Sequence, residues 1–213
     1  MADPSSLMAF YIAALALILS PGPDMLLIVA RGIGQGRRVA LLTAAGTTLV
    51  AALVQLPLLA LGVASLVAAT PFLFLTLKWA GAVYLIWLGL RCLARASKRR
   101  TTPAAVPPVS NWAALRTGAV SNLTNPKPMM FLLAFLPQFV DPAGDYSPGL
   151  QLLILGATLK FTSFVLMSCV ALGAGGVGGF VARRTGLLAW QERLTGAVML
   201  GLGVRLLWAD ARV

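Results

Sequence analysis

The chain contains no histidine. That removes the side chain most used to titrate near neutral pH and to bind transition metals, so a His-based metal site, triad or proton relay is excluded. Carboxylates are also scarce, with six Asp and Glu against 17 Lys and Arg and a net charge of +11. Six are too few to line a divalent-cation pathway. The two cysteines, Cys92 and Cys169, lie far apart with no CxxC, and they read as inert apolar residues rather than redox or zinc groups. No nucleophile stands beside a base and no metal cluster is evident, so neither an enzyme nor a resident cofactor is expected. The stretch GAGGVGG (173–179) formally contains GxGxxG. No strand precedes it and no acidic residue follows at about 20 positions, so it is not read as a nucleotide site.

Charge of either sign is thin. Charged residues make up 11% of the 213 residues, whereas a soluble domain carries roughly 25%. Hydrophobic residues make up 59% and the mean hydropathy is +0.87. That apolar excess suggests a lipid bilayer as solvent. In a soluble protein the basic excess would point to nucleic acid. Here the basic residues lie between apolar runs, so no nucleic-acid partner is expected. The segment MADPSSLMAF (1–10) has no Lys or Arg, so it lacks the basic start of a signal peptide, and the first apolar run is expected to be retained.

Six runs, near 7–29, 40–66, 71–93, 117–139, 150–174 and 192–210, are long enough to cross a bilayer core, which needs about 20 apolar residues. In lipid, backbone groups must be paired within the segment, and no period-two alternation marks a barrel, so an all-α membrane protein with six transmembrane helices is expected. The first connection carries Arg31, Arg37 and Arg38; the third carries Arg91, Arg95, Lys98, Arg99, Arg100 and Arg116; the fifth carries Arg183, Arg184 and Arg193. The other side shows Asp3, Asp141, Asp145 and Asp210, with Arg212. The positive-inside rule then places both termini outside the cytoplasm. SKRR (97–100) reads as a topological signal rather than a nucleic-acid patch. The stretch TTPAAVPPVSN (101–111) is the one linker-like segment.

The two halves resemble each other. Pro21 and Pro23 match Pro126 and Pro128 at one offset of 105 positions, and the same offset carries Gln55 to Lys160. KWAGAVYLIWLGLR (78–91) matches RLTGAVMLGLGVR (193–205) with one residue fewer. Within a single transmembrane domain (1–213), this gives a first repeat over 1–100, a cytoplasmic basic linker over 101–116 and a second repeat over 117–213. Three helices is an odd number, so the second copy must insert upside down, a 3+3 inverted repeat as in secondary transporters.

Proline removes a helix donor and clashes with the preceding turn, so helices 1 and 4 are expected to break at their Pro-x-Pro motifs. Pro21 lies ten residues before Arg31 and Pro126 ten after Arg116, placing both breaks near mid-depth. Ser20 and Asn125 precede the first proline of each pair and are expected to cap new half-helices. Half-helix N-termini present free N–H groups suited to a carboxylate. A simple packing kink is the plainer explanation for one such motif, but two at matched depth favour a central site.

Asp24 and Lys127 sit in these breaks and Lys160 midway along the fifth run. Each intramembrane charge costs about 2.5–3.5 kcal/mol on insertion scales. Two readings stand side by side. In one, Asp24 holds an ammonium or a proton while Lys127, with Lys160, meets a carboxylate. In the other, Asp24 and Lys127 form a pair that only orients helices. Gln55 is explained equally well by interhelical hydrogen bonding. Asn122 and Asn125 offer donors and acceptors where backbone is freed, and Lys78 reads as a snorkelling residue. Gly81 and Gly196 read as close-packing points, and Trp79, Trp87, Trp190 and Trp208 as interface belts.

The stretches SPGPDMLLIVARGIGQGRRVALLTAAG (20–46), LKWAGAVYLIWLGLR (77–91) and NLTNPKPMMFLLAFLPQFV (122–140) resemble the LysE/RhtB family of bacterial amino-acid exporters over nearly the whole chain. The resemblance implies an inner-membrane protein that exports amino acids or close derivatives, of the homoserine, threonine or neutral type, by proton antiport. Its partners would be the amino-acid substrate and the bilayer; the oligomeric state is left open, a homo-oligomer included. The family motifs map onto Pro21, Gly22, Pro23 and Asp24, and onto Asn122, Asn125, Pro126 and Lys127. Pro128 departs from the pattern, where a small residue is more usual. No family motif includes Lys160, so its role rests on the physical argument, and a basic residue there would disfavour a cationic substrate. The competing classes are a membrane thiol–disulfide carrier, which needs a cysteine pair near the breaks, a small-ion carrier, which needs more intramembrane carboxylates, and a scaffold, which leaves Asp24 and Lys127 unexplained.

Overall fold

A computed structural model describes residues 4–63, 71–96, 107–141, 144–174 and 185–208. SKRR (97–100), residues 101–106 of the linker, the glycine-rich stretch beyond Ala174, and Asp3, Asp210 and Arg212 lie outside the described residues. Every regular element among the described residues is helical. In chain order these are α1 (Pro4–Leu19), α2 (Pro23–Gln35), α3 (Arg37–Ala45), α4 (Ala51–Leu58), α5 (Pro71–Ala96), α6 (Asn111–Thr124), α7 (Pro126–Met130), α8 (Pro148–Gly173) and α9 (Thr185–Trp208). Wide π turns over Gly46–Val50 and Leu59–Val63 flank α4; another, Phe131–Phe135, follows α7 and leads into a 3₁₀ turn at Leu136–Phe139. Among the described residues, two continuous helical segments, Arg37–Gly62 and Pro148–Gly173, are long and apolar enough to cross a membrane. The pair Leu7–Leu19 and Pro23–Gln35, bent by 49°, makes a third if taken as one span.

The boundaries follow from local chemistry. Ser110 and Ser147 cap α6 and α8, their hydroxyls accepting from Ala113 N and Leu150 N at 3.3 and 3.4 Å, and Pro148 fills the first helical position where no donor is needed. Between α2 and α3 the chain turns at Gly36, with φ 87° and ψ 174°. A side chain is strongly disfavoured in that region. The hydroxyls of Thr47 and Thr48 donate back to Ala44 O at 2.9 and 2.6 Å, a local bond that bends helices and coincides with the first π turn.

Small residues let backbones meet. A Cβ at Gly118 of α6 would lie 2.4 Å from Thr43 O, and one at Gly46 would lie 2.2 Å from Leu115 O. Helices α5 and α9 make the same kind of contact, with a Gly89 Cβ at 2.8 Å from Gly196 O, a Gly196 Cβ at 2.9 Å from Gly89 O and a Gly203 Cβ at 3.0 Å from Ala82 O. Close approach through small residues replaces the hydrophobic driving force that helices lose in lipid. Of the two expected packing glycines, Gly196 makes this contact; Gly81 is buried, and its place opposite Gly196 is taken by Gly89. An aromatic cluster joins the N-terminal helix to the second half, with ring centroids 5.5 Å apart for Phe10 and Phe139, 5.0 Å for Phe135 and Phe139, and 4.7 Å for Phe131 and Phe135. Such pairs add about 0.5–1.5 kcal/mol beyond their buried area.

The linker is tied to the end of α2. The buried Arg31 guanidinium donates to Pro107 O. Gln35 Nε2 donates to the same carbonyl at 3.3 Å, and Gln35 Oε1 accepts from Val109 N at 2.7 Å. Arg31 therefore acts as a structural tether as well as a basic residue of the first connection.

Candidate functional site

Helix α1 stops at Leu19 and α2 starts at Pro23, leaving Ser20, Pro21 and Gly22 outside helical geometry. Gly22 is the N-cap of α2, with no side-chain capping bond, and Pro23 follows at the start of the helix. Ser20 is therefore not the cap its sequence position suggests. The capping position falls two residues later, and its hydroxyl lies 3.8 Å from Cys92 Sγ instead. The second interruption is shorter. Helix α6 ends at Thr124, Asn125 is extended with φ −79° and ψ 114°, and α7 begins at Pro126. Asn125 does cap α7, its Oδ1 accepting from Lys127 N at 3.1 Å.

Asp24, in the first turn of α2, faces this second segment. Its Oδ1 accepts from Ser121 Oγ at 2.7 Å, and its Oδ2 accepts from Asn122 Nδ2 at 2.7 Å and from Asn125 Nδ2 at 3.2 Å. Charge-assisted bonds to a carboxylate are roughly twice as strong as neutral ones. In the reverse direction Lys127 Nζ donates to Ser20 O at 2.7 Å, a carbonyl left free for it by the interruption. Asn122 extends the network, since its Oδ1 accepts from the buried Lys160 Nζ at 3.0 Å. Asp24, Asn122 and Lys160 thus form a continuous acceptor–amide–ammonium relay. The bonds of Asp24 run to Ser121, Asn122 and Asn125, and together with the Lys127–Ser20 bond they form two crossing clasps between the segments.

A cavity of about 70 Å³ opens among these groups, with Asp24, Asn122, Asn125 and Lys127 on its polar side. Leu17, Ile18, Met25 and Met167 supply apolar wall, and Pro128 also lines it. The volume is room for a few waters rather than for an amino acid. Pro21 and Gly22 are buried beside it, while Pro23 and Pro126 are exposed. A Cβ at Gly22 would lie 3.7 Å from Lys127 Nζ, so the two interrupted segments meet at this point.

Gln55 does not join the cluster. It is buried, yet neither its Nε2 nor its Oε1 has a hydrogen-bond partner among the described residues, so interhelical hydrogen bonding does not account for it. Ser121 is a site residue with no distinguishing sequence signal beyond lying one position before Asn122. Thr47, Thr48 and Ser163 also line the cavity, and their only signal is a hydroxyl within an apolar run. Glu192 is 2% exposed within α9, a buried carboxylate at the start of the last apolar run. No group of three or more His, Cys, Asp or Glu able to hold a metal occurs among the described residues.

Comparison with known proteins adds the family. A sequence model of the LysE type translocator matches residues 15–210. The chain is 34% identical over 201 residues to a leucine efflux protein of Klebsiella pneumoniae, covering 93% of each chain. It is 35% identical over 205 residues to an uncharacterized membrane protein of Pseudomonas aeruginosa, covering 92% of each, and 33% identical over 206 residues to one of Vibrio cholerae, covering 96% of this chain and 97% of the other. No solved structure matches. A match spanning nearly the whole chain, on a helical protein with membrane-length apolar segments, fixes the assignment: the chain belongs to the LysE-type translocator family, and it is a membrane transporter rather than an enzyme.

Proposed function

We propose that the protein is a secondary exporter of neutral amino acids or close derivatives across the bacterial inner membrane, driven by proton antiport. The observation that carries this is the Asp24 clasp, in which a carboxylate, two amides and two ammonium groups gather beside a cavity in a chain otherwise built for lipid. Intramembrane ionisable groups are expensive and mark transport pathways. An α-amino acid carries the complementary charges. Asp24 receives its ammonium or a proton, and Lys127 with Lys160 receives its carboxylate. Leu17, Ile18, Met25 and Met167 suit an apolar side chain, in keeping with the leucine efflux proteins among the relatives.

The architecture in this reading is six spans as a 3+3 inverted repeat, with spans 1 and 4 broken at the Pro-x-Pro motifs and both termini periplasmic. Reciprocal contacts support it. A two-fold axis requires that if residue i meets j, the equivalent of i meets the equivalent of j. In the repeat alignment Gly81 corresponds to Gly196 and Gly89 to Gly203. Gly89 meets Gly196, and Gly203 meets Ala82, the neighbour of Gly81. Alternating access then rocks one repeat against the other about the clasp, widening the cavity to admit substrate.

The test is efflux from cells preloaded with a panel of neutral amino acids. Asp24→Asn and Lys127→Ala are expected to abolish export while leaving membrane insertion intact. Normal export by both variants overturns the site. A reporter fused after Val213 that is active only in the cytoplasm overturns the topology.

A further inference from the structure

Gln55 is 2% exposed, and its donor and its acceptor are both without partners among the described residues. Buried amides are nearly always satisfied, because each unmade bond forfeits the hydration given up. Nearby hydroxyls follow that rule, with Thr43, Thr47 and Thr48 bonded to main-chain carbonyls. Gln55 is also firmly placed. It lies on α4, between two π turns and two residues before Pro57. Such turns recur at functional sites.

The register relates Gln55 to Lys160. Its neighbours Leu56 and Leu59 lie against Gly156 of α8, where a Cβ would stand 2.6 and 3.3 Å from their Cδ2 atoms. Lys160 is one helical turn along α8 from Gly156. The two positions are also equivalents in the repeat, as Gly22 and Lys127 are. In the proposed topology Gln55 lies about 27 Å along its span from Arg37, whereas Asp24 lies about 16 Å from Gln35 across the same turn. Gln55 is therefore on the outward side of the clasp.

We propose that Gln55 and Lys160 form a second subsite for the head group of the exported amino acid, filled as the path opens outward. Gln55 Nε2 and the Lys160 ammonium donate to the carboxylate, and Gln55 Oε1 accepts from the adjacent ammonium. A side-chain amide presents one donor group and one acceptor side by side, which matches the neighbouring carboxylate and ammonium of an α-amino acid. The unmade bonds of the empty state are those the substrate supplies. This inference rests on the proposed export function and adds a specificity-determining residue to it.

The experiment compares wild type with Gln55→Met, close to isosteric, and Gln55→Leu, both purified and reconstituted in proteoliposomes. The probes are leucine and 3-methylbutylamine, which is leucine without its carboxylate. We expect leucine KM to rise about tenfold in either variant, the preference for leucine over the amine to shrink, and thermal stability to hold or rise because an unsatisfied amide has been removed. Wild-type KM and wild-type preference in a folded variant overturn the subsite. A fall in thermal stability in both variants also overturns it, since Gln55 would then be serving the fold. Asp24→Asn, measured in parallel, separates the two claims. Normal transport by that variant overturns the proposed function itself, whereas an inactive Asp24→Asn beside unaltered Gln55 variants overturns only this inference.

Discussion

The two Pro-x-Pro segments share a sequence pattern and divide the chemistry between them. Around the first, three residues leave the helix, the cap is a bare glycine, and what is exposed is acceptor: Ser20 O and the Asp24 carboxylate. At the second, a single residue leaves the helix, a side chain caps it, and what is presented is donor: Ser121, Asn122, Asn125 and Lys127. Under the proposed inverted repeat the two segments are equivalents across a pseudo-two-fold axis, which brings them together. Their divergence explains why they bind each other, since two identical copies would offer like groups to like. The difference teaches that, under that reading, the shared pattern supplies the framework and the departures from it supply the complementary groups.

Four substitutions sharpen or break that comparison. The largest effect is expected from Asp24→Ala, which strands three donors at once. Stability should fall by about 1.5–3 kcal/mol, read by thermal unfolding in detergent, together with loss of efflux. Next is Asn125→Ala, which removes both the cap of α7 and a bond to Asp24. It should cost about 1–2 kcal/mol and lower efflux about tenfold. Gly22→Ala should be milder. Its Cβ meets Lys127 Nζ at an ordinary 3.7 Å, so the protein should fold normally and show a smaller fall in efflux than Asn125→Ala, measured in the same preloaded cells. The smallest effect is expected from Ser20→Ala. It leaves in place the carbonyl that receives Lys127 and removes only a 3.8 Å contact with Cys92, so stability should stay within about 0.5 kcal/mol of wild type. If Ser20→Ala and Asn125→Ala proved equally damaging in unfolding and efflux, the two segments would be equivalent and the comparison would fail.

The residues that gather at the site were legible for a physical reason. A proline, a carboxylate or an ammonium inside an apolar run is so unfavourable in lipid that it stands out in a single sequence, which marks Asp24, Lys127, Pro128 and Lys160. Asn122 and Asn125 followed from their place beside the second pair. Ser121 and the cavity threonines were not legible, because a hydroxyl can satisfy itself on its own helix and so carries no mark in the sequence. Ser20 was misplaced as a cap because the pattern does not reveal at which proline the helix restarts. Arg31 reads as one more basic residue of a connection; only the fold shows that it reaches Pro107 across the linker. The pairing of Gly89 with Gly196 was missed for a similar reason, since a repeat shows which residues correspond but not which residues touch. For the fold, helical class was readable from composition and run length. The first π turn beside α4 was not, because it goes with local back-bonding by Thr47 and Thr48.

The central claim is that the Asp24 clasp couples proton movement to amino-acid export. Its most direct test is leucine efflux from proteoliposomes, with and without an imposed pH gradient, in wild type and Asp24→Asn. The account predicts gradient-stimulated efflux in wild type and none in the variant. Gradient-driven efflux that persists in a correctly folded Asp24→Asn protein would contradict it.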